Sequence, residues 1–126
     1  MLKLRRNDVA PPPEGCALTL CVRFLRGAWT PNILWYLGHR SRRFSELKHD
    51  LGGISSKVLT QRLRRLEADG LIHKQRQPTS PPSVEYALTD LGRELQPALA
   101  ALIAVGEKIK RAPAQNQPTM EQREAA

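Results

Sequence analysis

Apolar residues recur along this chain with helical spacing in five places and with alternating spacing in two. From Cys16 to Leu25, residues Leu18, Val22 and Leu25 form one helical stripe, and Leu20 and Phe24 form another. A short helix that is apolar on more than one side needs more than one neighbour, so it is expected to pack on its own domain and on a second subunit. Gly27 interrupts it. Thr30-Pro31 then restarts a helix, with a capping hydroxyl followed by proline at the first helical position. That helix, Pro31 to Leu37, turns Ile33, Leu34 and Leu37 inward with Trp29, Trp35 and Tyr36 around them, and Gly38 ends it. A third short helix is expected from a Ser45 cap, with Leu47 and Leu51 inward and Phe44 against its first turns.

The stretch Ser55 to Gly70 is the most complete helix signal. Ser55 can cap its start, and Gly70 is free to adopt the left-handed conformation at its end. Leu59, Leu63 and Leu66 follow i, i+4, i+7 spacing with Val58 at the edge, while Ser56, Lys57, Thr60, Gln61 and Arg64 share the opposite face. The spacing then changes to alternation: Leu71 to Lys74 reads as a strand, QPTSPPS over Gln77 to Ser83 as a loop, and Val84 to Leu88 as a second strand. Thr89 can cap a last, long helix from Asp90 to about Arg111. Its stripe is Leu91, Leu95, Leu99, Leu102 and Ile109, with Ile103 and Val105 beside it.

Two short helices joined by a Gly-containing turn, followed by a hairpin, give the pattern of a winged helix-turn-helix. The fold class is therefore mainly α with a small β-hairpin wing, dimerising through the first and last helices. Leu18, Val22, Leu95, Leu99 and Leu102 are the candidate interface residues of a homodimer. At 126 residues the chain suits one domain with trailing ends. The expected division is a flexible arm over residues 1–14, carrying Lys3, Arg5 and Arg6 before three prolines, a domain over 15–111, and a disordered tail over 112–126.

Charge adds a partner to this architecture. The net charge is +8, and ten Lys or Arg against four acids fall between Arg40 and Arg76. A solvated face normally mixes signs, so the bias around the Ser55–Gly70 helix points to a polyanion. Double-stranded DNA fits, because Arg, Lys and Gln reach phosphates and purine edges in the major groove. Lys74 and Arg76, at the base of the wing, are placed to hold phosphates. No apolar run approaches the roughly 18 to 20 residues of a membrane span, and the first residues lack the apolar core of a signal peptide, so a cytoplasmic, nucleoid-associated protein is expected.

Chemistry-bearing motifs are sparse. His39, His49 and His73 lack metal-ligand spacing, and no nucleophile elbow or phosphate-cradling glycine loop occurs, so neither catalysis nor a cofactor nor a metal is expected. Cys16 and Cys21 match no zinc or disulfide framework, and on one helix they point about 140° apart. Cys21 reads as a core residue.

Several strings resemble the HxlR-type winged helix-turn-helix transcriptional regulators of bacteria and archaea, relatives of the MarR-like regulators. They are Cys16 with Gly27-x-Trp29-Thr30 and Ile33-Leu34, then Arg43-Phe44-Ser45-Glu46-Leu47, then Gly53-Ile54-Ser55-x-Lys57-Val58-Leu59-Thr60-x-Arg62-Leu63. Leu66-Glu67-x-x-Gly70-Leu71 and Val84-Glu85-Tyr86-x-Leu88-Thr89-x-x-Gly92 complete the series. The resemblance implies a homodimer held by the first and last helices, with one reading helix per subunit in successive major grooves of a pseudo-palindromic operator. The expected DNA-contacting set is Arg43, Ser55, Ser56, Lys57, Thr60, Gln61, Arg64, Lys74 and Arg76, of which Lys57, Gln61 and Arg64 match family positions that face DNA. Several family members use a cysteine at the position of Cys16 to sense quinones, aldehydes or oxidants. Two roles for Cys16 stay open, a sensing thiol at a helix start or a buried small hydrophobe, and Trp29 is either core or the wall of an effector cavity. The expected function is transcriptional regulation, as a repressor, with a small electrophile or aromatic effector. The alternative is a winged helix used for protein contact or RNA shape recognition.

Overall fold

The computed structural model describes residues 16–112, and the arm over residues 1–14 and the tail from Pro113 onward lie outside the described residues. The elements are α1 (Ala17–Leu25), α2 (Thr30–Leu37), β1 (Arg42–Arg43), α3 (Phe44–Leu51), α4 (Ser56–Ala68), β2 (Ile72–Gln77), β3 (Ser83–Leu88), α5 (Asp90–Glu94) and α6 (Gln96–Arg111). The helical stripes converge as their spacing requires. Ile33, Leu34 and Leu37 of α2, Leu47 and Leu51 of α3, and Leu59, Leu63 and Leu66 of α4 form one core with Leu71, Ile72, Leu88, Leu95 and Leu99. No helix among the described residues is long and apolar enough to cross a membrane.

Helix α4 begins and ends as its sequence dictates. The Ser55 hydroxyl accepts the Val58 N–H at 3.1 Å. At the other end Gly70 takes φ +78°. Its N–H bonds the Glu67 carbonyl at 3.0 Å, and the Leu71 N–H bonds the Leu66 carbonyl at 3.0 Å, the paired bonds of a Schellman stop. Leu71 is thus part of the cap, and the strand starts one residue later than expected.

The sheet is larger than a hairpin. β2 and β3 pair antiparallel from Ile72↔Leu88 to Gln77↔Ser83, and Arg42 and Arg43 add a third strand opposite Tyr86 and Glu85, giving the order β1-β3-β2. That pairing moves the start of α3. Because the chain leaves β1 in an extended conformation, Arg43 takes the cap position in place of Ser45, and its N–H is accepted by the Glu46 carboxylate at 2.9 Å.

Two other helix starts differ from expectation. Trp29, with φ +76°, caps α2, and Thr30 instead turns its hydroxyl back to donate to the Arg26 carbonyl at 3.2 Å. The long last helix is interrupted at Leu95 because Pro97 has no N–H to offer the carbonyl of Arg93 and its ring crowds that carbonyl. Thr89 does cap α5, its hydroxyl accepting the Gly92 N–H at 3.1 Å.

Burial corrects the candidate interface. Leu95 and Leu99 are 9% and 3% exposed, consumed by the domain's own core, so they present no surface to a second subunit. Leu18, Val22 and Leu102 remain outside at 68%, 57% and 57%. Cys21 is exposed and not core, because α1 touches the domain only through its last turn and has no buried residue.

The Thr89 hydroxyl also donates to the Gly70 carbonyl at 2.6 Å, and the Thr89 N–H bonds the Leu71 carbonyl at 3.0 Å. A Cβ on Gly92 would lie 2.3 Å from that same Leu71 oxygen, whereas a Cβ on Gly38 would meet the side-chain amide of Gln96, which one 3.2 Å hydrogen bond holds to the Leu34 carbonyl and which can turn away at the cost of that bond. Gly92→Ala is therefore expected to destabilise by about 1 to 3 kcal/mol through overpacking against backbone, more than Gly38→Ala, in urea unfolding followed by circular dichroism.

The Arg43 N–H, and after it the Arg40 guanidinium, hold the Glu46 carboxyl below the usual carboxylate range. Stability from a depressed carboxylate is complete above its unfolded pKa and is lost as pH falls through the folded value. Glu46→Gln should melt below wild type at neutral pH, and the two melting temperatures should converge as acid protonates Glu46. A constant gap at all pH values would mean that ionisation of Glu46 contributes nothing.

Candidate nucleic-acid interface

Successive residues of α4 advance by about 100°, so four sides can be assigned from burial and bonding. The core side is Leu59, Leu63 and Leu66. Lys57, Gln61 and Arg64 lie opposite, and all are exposed. Ser56, Thr60 and Glu67 form a flank toward α3 and the wing: Lys48 Nζ donates to Ser56 Oγ at 3.0 Å, and Lys74 Nζ lies 3.9 Å from Glu67. Arg62 and Arg65 form the other flank, where they donate to the carbonyls of Ala28 and Arg23, each at 2.9 Å.

Hydroxyl bookkeeping narrows what each candidate can do. Thr60 spends its one hydrogen on the Ser56 carbonyl at 2.7 Å, so in this rotamer it can only accept from a ligand. Ser55 and Ser56 use their oxygens as acceptors, from Val58 N–H and Lys48 Nζ, and keep an O–H to donate outward. Arg64 and Lys74 line one recess with Phe44, Thr60, Leu63 and Tyr86, which joins the outward face of α4 to the wing. Arg43 stands exposed at the start of α3.

Arg76 is not at the base of the wing. It pairs with Val84, one position from the last rung at Gln77↔Ser83, so it stands near the tip beside Pro78 to Pro82. The strands run further than expected because Gln75, Arg76 and Gln77 extend the ladder before the prolines stop it.

The basic segment sorts into two groups. Arg42 pairs with Asp50 and lies over the Tyr36 ring, 5.5 Å from its centroid, Arg40 pairs with Glu46 at 3.0 Å, and Arg62 and Arg65 hold backbone carbonyls. Lys57, Arg64 and Arg76 have no acidic partner among the described residues. Their charge is left for an external anion. Sequence reasoning missed Lys48, whose exposed ammonium sits at the first turn of α4; the signal for it is the tight Gly52-Gly53 turn, which folds the end of α3 onto the start of α4.

Comparison with other proteins bears on the family and the fold. The profile of the HxlR-like helix-turn-helix family matches residues 24–113. The chain is 32% identical over 102 residues to the HTH-type transcriptional regulator YybR of Bacillus subtilis (strain 168), spanning 81% of this chain and 82% of that one. It is 37% identical over 97 residues to YdeP of the same organism, spanning 77% and 76%. Among solved structures, a MarR-family transcriptional regulator from Porphyromonas gingivalis W83 superposes with a TM-score of 0.73 at 34% identity, over 79% of this chain and 97% of the other. The redox regulator HypR in its oxidized form superposes with a TM-score of 0.69 at 32% identity, over 74% and 96%.

Proposed function

This chain belongs to the HxlR-like helix-turn-helix family of transcriptional regulators, and on that premise we propose that it represses transcription as a homodimer bound to a pseudo-palindromic DNA operator. The observation that carries this reading is the outward row of Lys57, Gln61 and Arg64 on a helix whose other three sides are committed to the protein. Gln and Arg are the side chains that read adenine and guanine edges bidentately, and an α-helix fits the major groove. Arg76 near the wing tip and Lys74 below it would meet flanking phosphates, with Arg43, Ser55, Ser56 and Thr60 bordering the helix start. DNA as the partner places the protein in the cytoplasm with the nucleoid.

Support for the dimer is the apolar surface that the domain leaves uncovered. Leu18, Leu20 and Val22 on α1, and Leu102, Ile103, Val105 and Ile109 on α6, are all exposed. A two-fold pair would put two copies of α4 on half-sites about 34 to 36 Å apart or a multiple of that.

Sensing through Cys16 is the finer element of the proposal. Cys16 sits at the cap position of α1 as a half-buried free thiol, and the similar protein HypR is a redox regulator. An electrophile or oxidant that modifies this thiol would act on the helix that carries the uncovered apolar surface. Diamide is expected to release operator from wild type and from Cys16-intact Cys21→Ser, and not from Cys16→Ser; equal release from all three would remove Cys16 from the mechanism.

The direct test is fluorescence anisotropy against an operator duplex selected from genomic fragments and a scrambled duplex, at several salt concentrations. Sequence-dependent binding with a steep salt slope is expected. Arg64→Ala should cost about 1 to 3 kcal/mol on the operator and relax discrimination, whereas Arg76→Ala should weaken both duplexes alike and reduce the salt slope by about 1. Absence of binding at low salt would instead favour a winged helix used for protein contact.

A further inference from the structure

Arg62 and Arg65 lie on the reading helix but face away from Lys57, Gln61 and Arg64. The Arg62 Nε donates to the Ala28 carbonyl at 2.9 Å, and the Arg65 Nη2 donates to the Arg23 carbonyl at 2.9 Å. The Arg23 carbonyl belongs to the last turn of α1, where the helix dipole is negative and a guanidinium is favoured, and the Ala28 carbonyl belongs to the turn between α1 and α2. Little else fixes α1 to α4. α1 has no buried residue, and only Phe24 and Leu25 of its last turn pack against the core.

The turn that Arg62 holds is a strained one. Ala28 lies between Gly27 at φ +105° and Trp29 at φ +76°, and a side chain as large as tryptophan rarely adopts a left-handed backbone unless its surroundings impose it. Two side chains impose it here. Thr30 Oγ1 ties the turn to the Arg26 carbonyl at 3.2 Å, and Arg62 ties it to α4. A Cβ on Gly27 would come within 3.2 Å of Arg62 Nε, so the guanidinium lies directly against the backbone of the turn.

We propose that Arg62 is a positioning residue for DNA reading, one that sets the seat of α4 through the Gly27–Trp29 turn and makes that turn the mechanical link between α1 and the reading helix. This inference rests on α4 being the helix that reads DNA. Base-edge contacts demand accurate placement of α4, because bidentate donors must meet fixed acceptors, whereas phosphate contacts tolerate a shifted helix. Loss of the Arg62 bond should therefore remove discrimination while leaving sequence-independent affinity in place. A displacement of α1, whatever its source, would reach α4 by the same route without passing through the hydrophobic core.

The test compares wild type, Arg62→Met and Arg62→Lys on the selected operator and on a scrambled duplex across a salt series, with thermal melts confirming the folded state. Arg62→Met is expected to lower the operator-to-scrambled affinity ratio by about tenfold, on the scale of one misread base pair, with scrambled-duplex affinity and salt slope unchanged. Arg62→Lys, which retains one donor for Ala28, should recover part of the ratio. If Arg62→Met does not fold, Arg62→Gln is read by the same criterion. An unchanged ratio with wild-type discrimination intact would overturn the inference and leave the DNA reading standing. Equal weakening on both duplexes with a salt slope reduced by about 1 would also overturn it, by making Arg62 a phosphate contact. A wild-type chain that selects no operator would overturn the DNA reading, and this inference with it.

Discussion

Where the end of α4, the root of the wing and the start of α5 meet, three backbone segments lie within hydrogen-bonding distance and no Cβ fits at Gly92. Thr89 bonds the Gly70 and Leu71 carbonyls with its hydroxyl and its N–H, and it caps α5 with the same oxygen. Everything on the proposed DNA side takes its direction from this joint. The Schellman stop fixes where α4 ends, the next residue begins β2, and the residue after β3 returns to the same point. The angle between reading helix and wing is thus set by short backbone bonds, which are stiffer than side-chain packing. The same joint launches α5, so α6, which continues from it and carries part of the uncovered apolar surface, is referenced to α4 as well.

Electrostatics divides the labour along α4 with little overlap. Arg62 and Arg65 donate to the carbonyls of Ala28 and Arg23, and their guanidinium groups are engaged in building the domain. Lys57 and Arg64 find no acidic partner among the described residues and keep their charge for a ligand. The count of Lys and Arg in the sequence is therefore an upper bound on the number free to contact phosphates directly. The difference matters for any estimate of phosphate contacts from composition, since each neutralised phosphate contributes its own share to the salt slope.

Much of this was legible in the residues. The stripes of α2, α3 and α4 and the caps at Ser55, Gly70 and Thr89 are local signals, set within one or two turns, and they appear where periodicity and cap chemistry put them. What the sequence concealed is non-local. The strand at Arg42–Arg43 exists only because β3 passes beside it, and that pairing displaces the Ser45 cap. Whether Leu95 and Leu99 face a partner or their own core depends on the bend at Pro97, and a stripe on a helical wheel carries no information about which of two neighbours it meets. The partners of Arg62 and Arg65 lie 34 and 42 residues away, far beyond any spacing rule.

Beyond Leu99, α6 leaves its domain: every residue from Ala100 to Arg111 is exposed except the partly covered Gly106. Leu102 and Ile103 share a recess with Pro31, Asn32 and Trp35 of α2, but helical residues so little covered are marginal in water, since nucleation is costly and intrinsic propensity repays little of it. The helicity of this segment is then a property of the solution as well as of the chain. Whatever covers the segment would hold its last turns in place and add their bonds to the complex. In the proposed homodimer, association and local folding would form one equilibrium, and the far-ultraviolet signal would then depend on protein concentration.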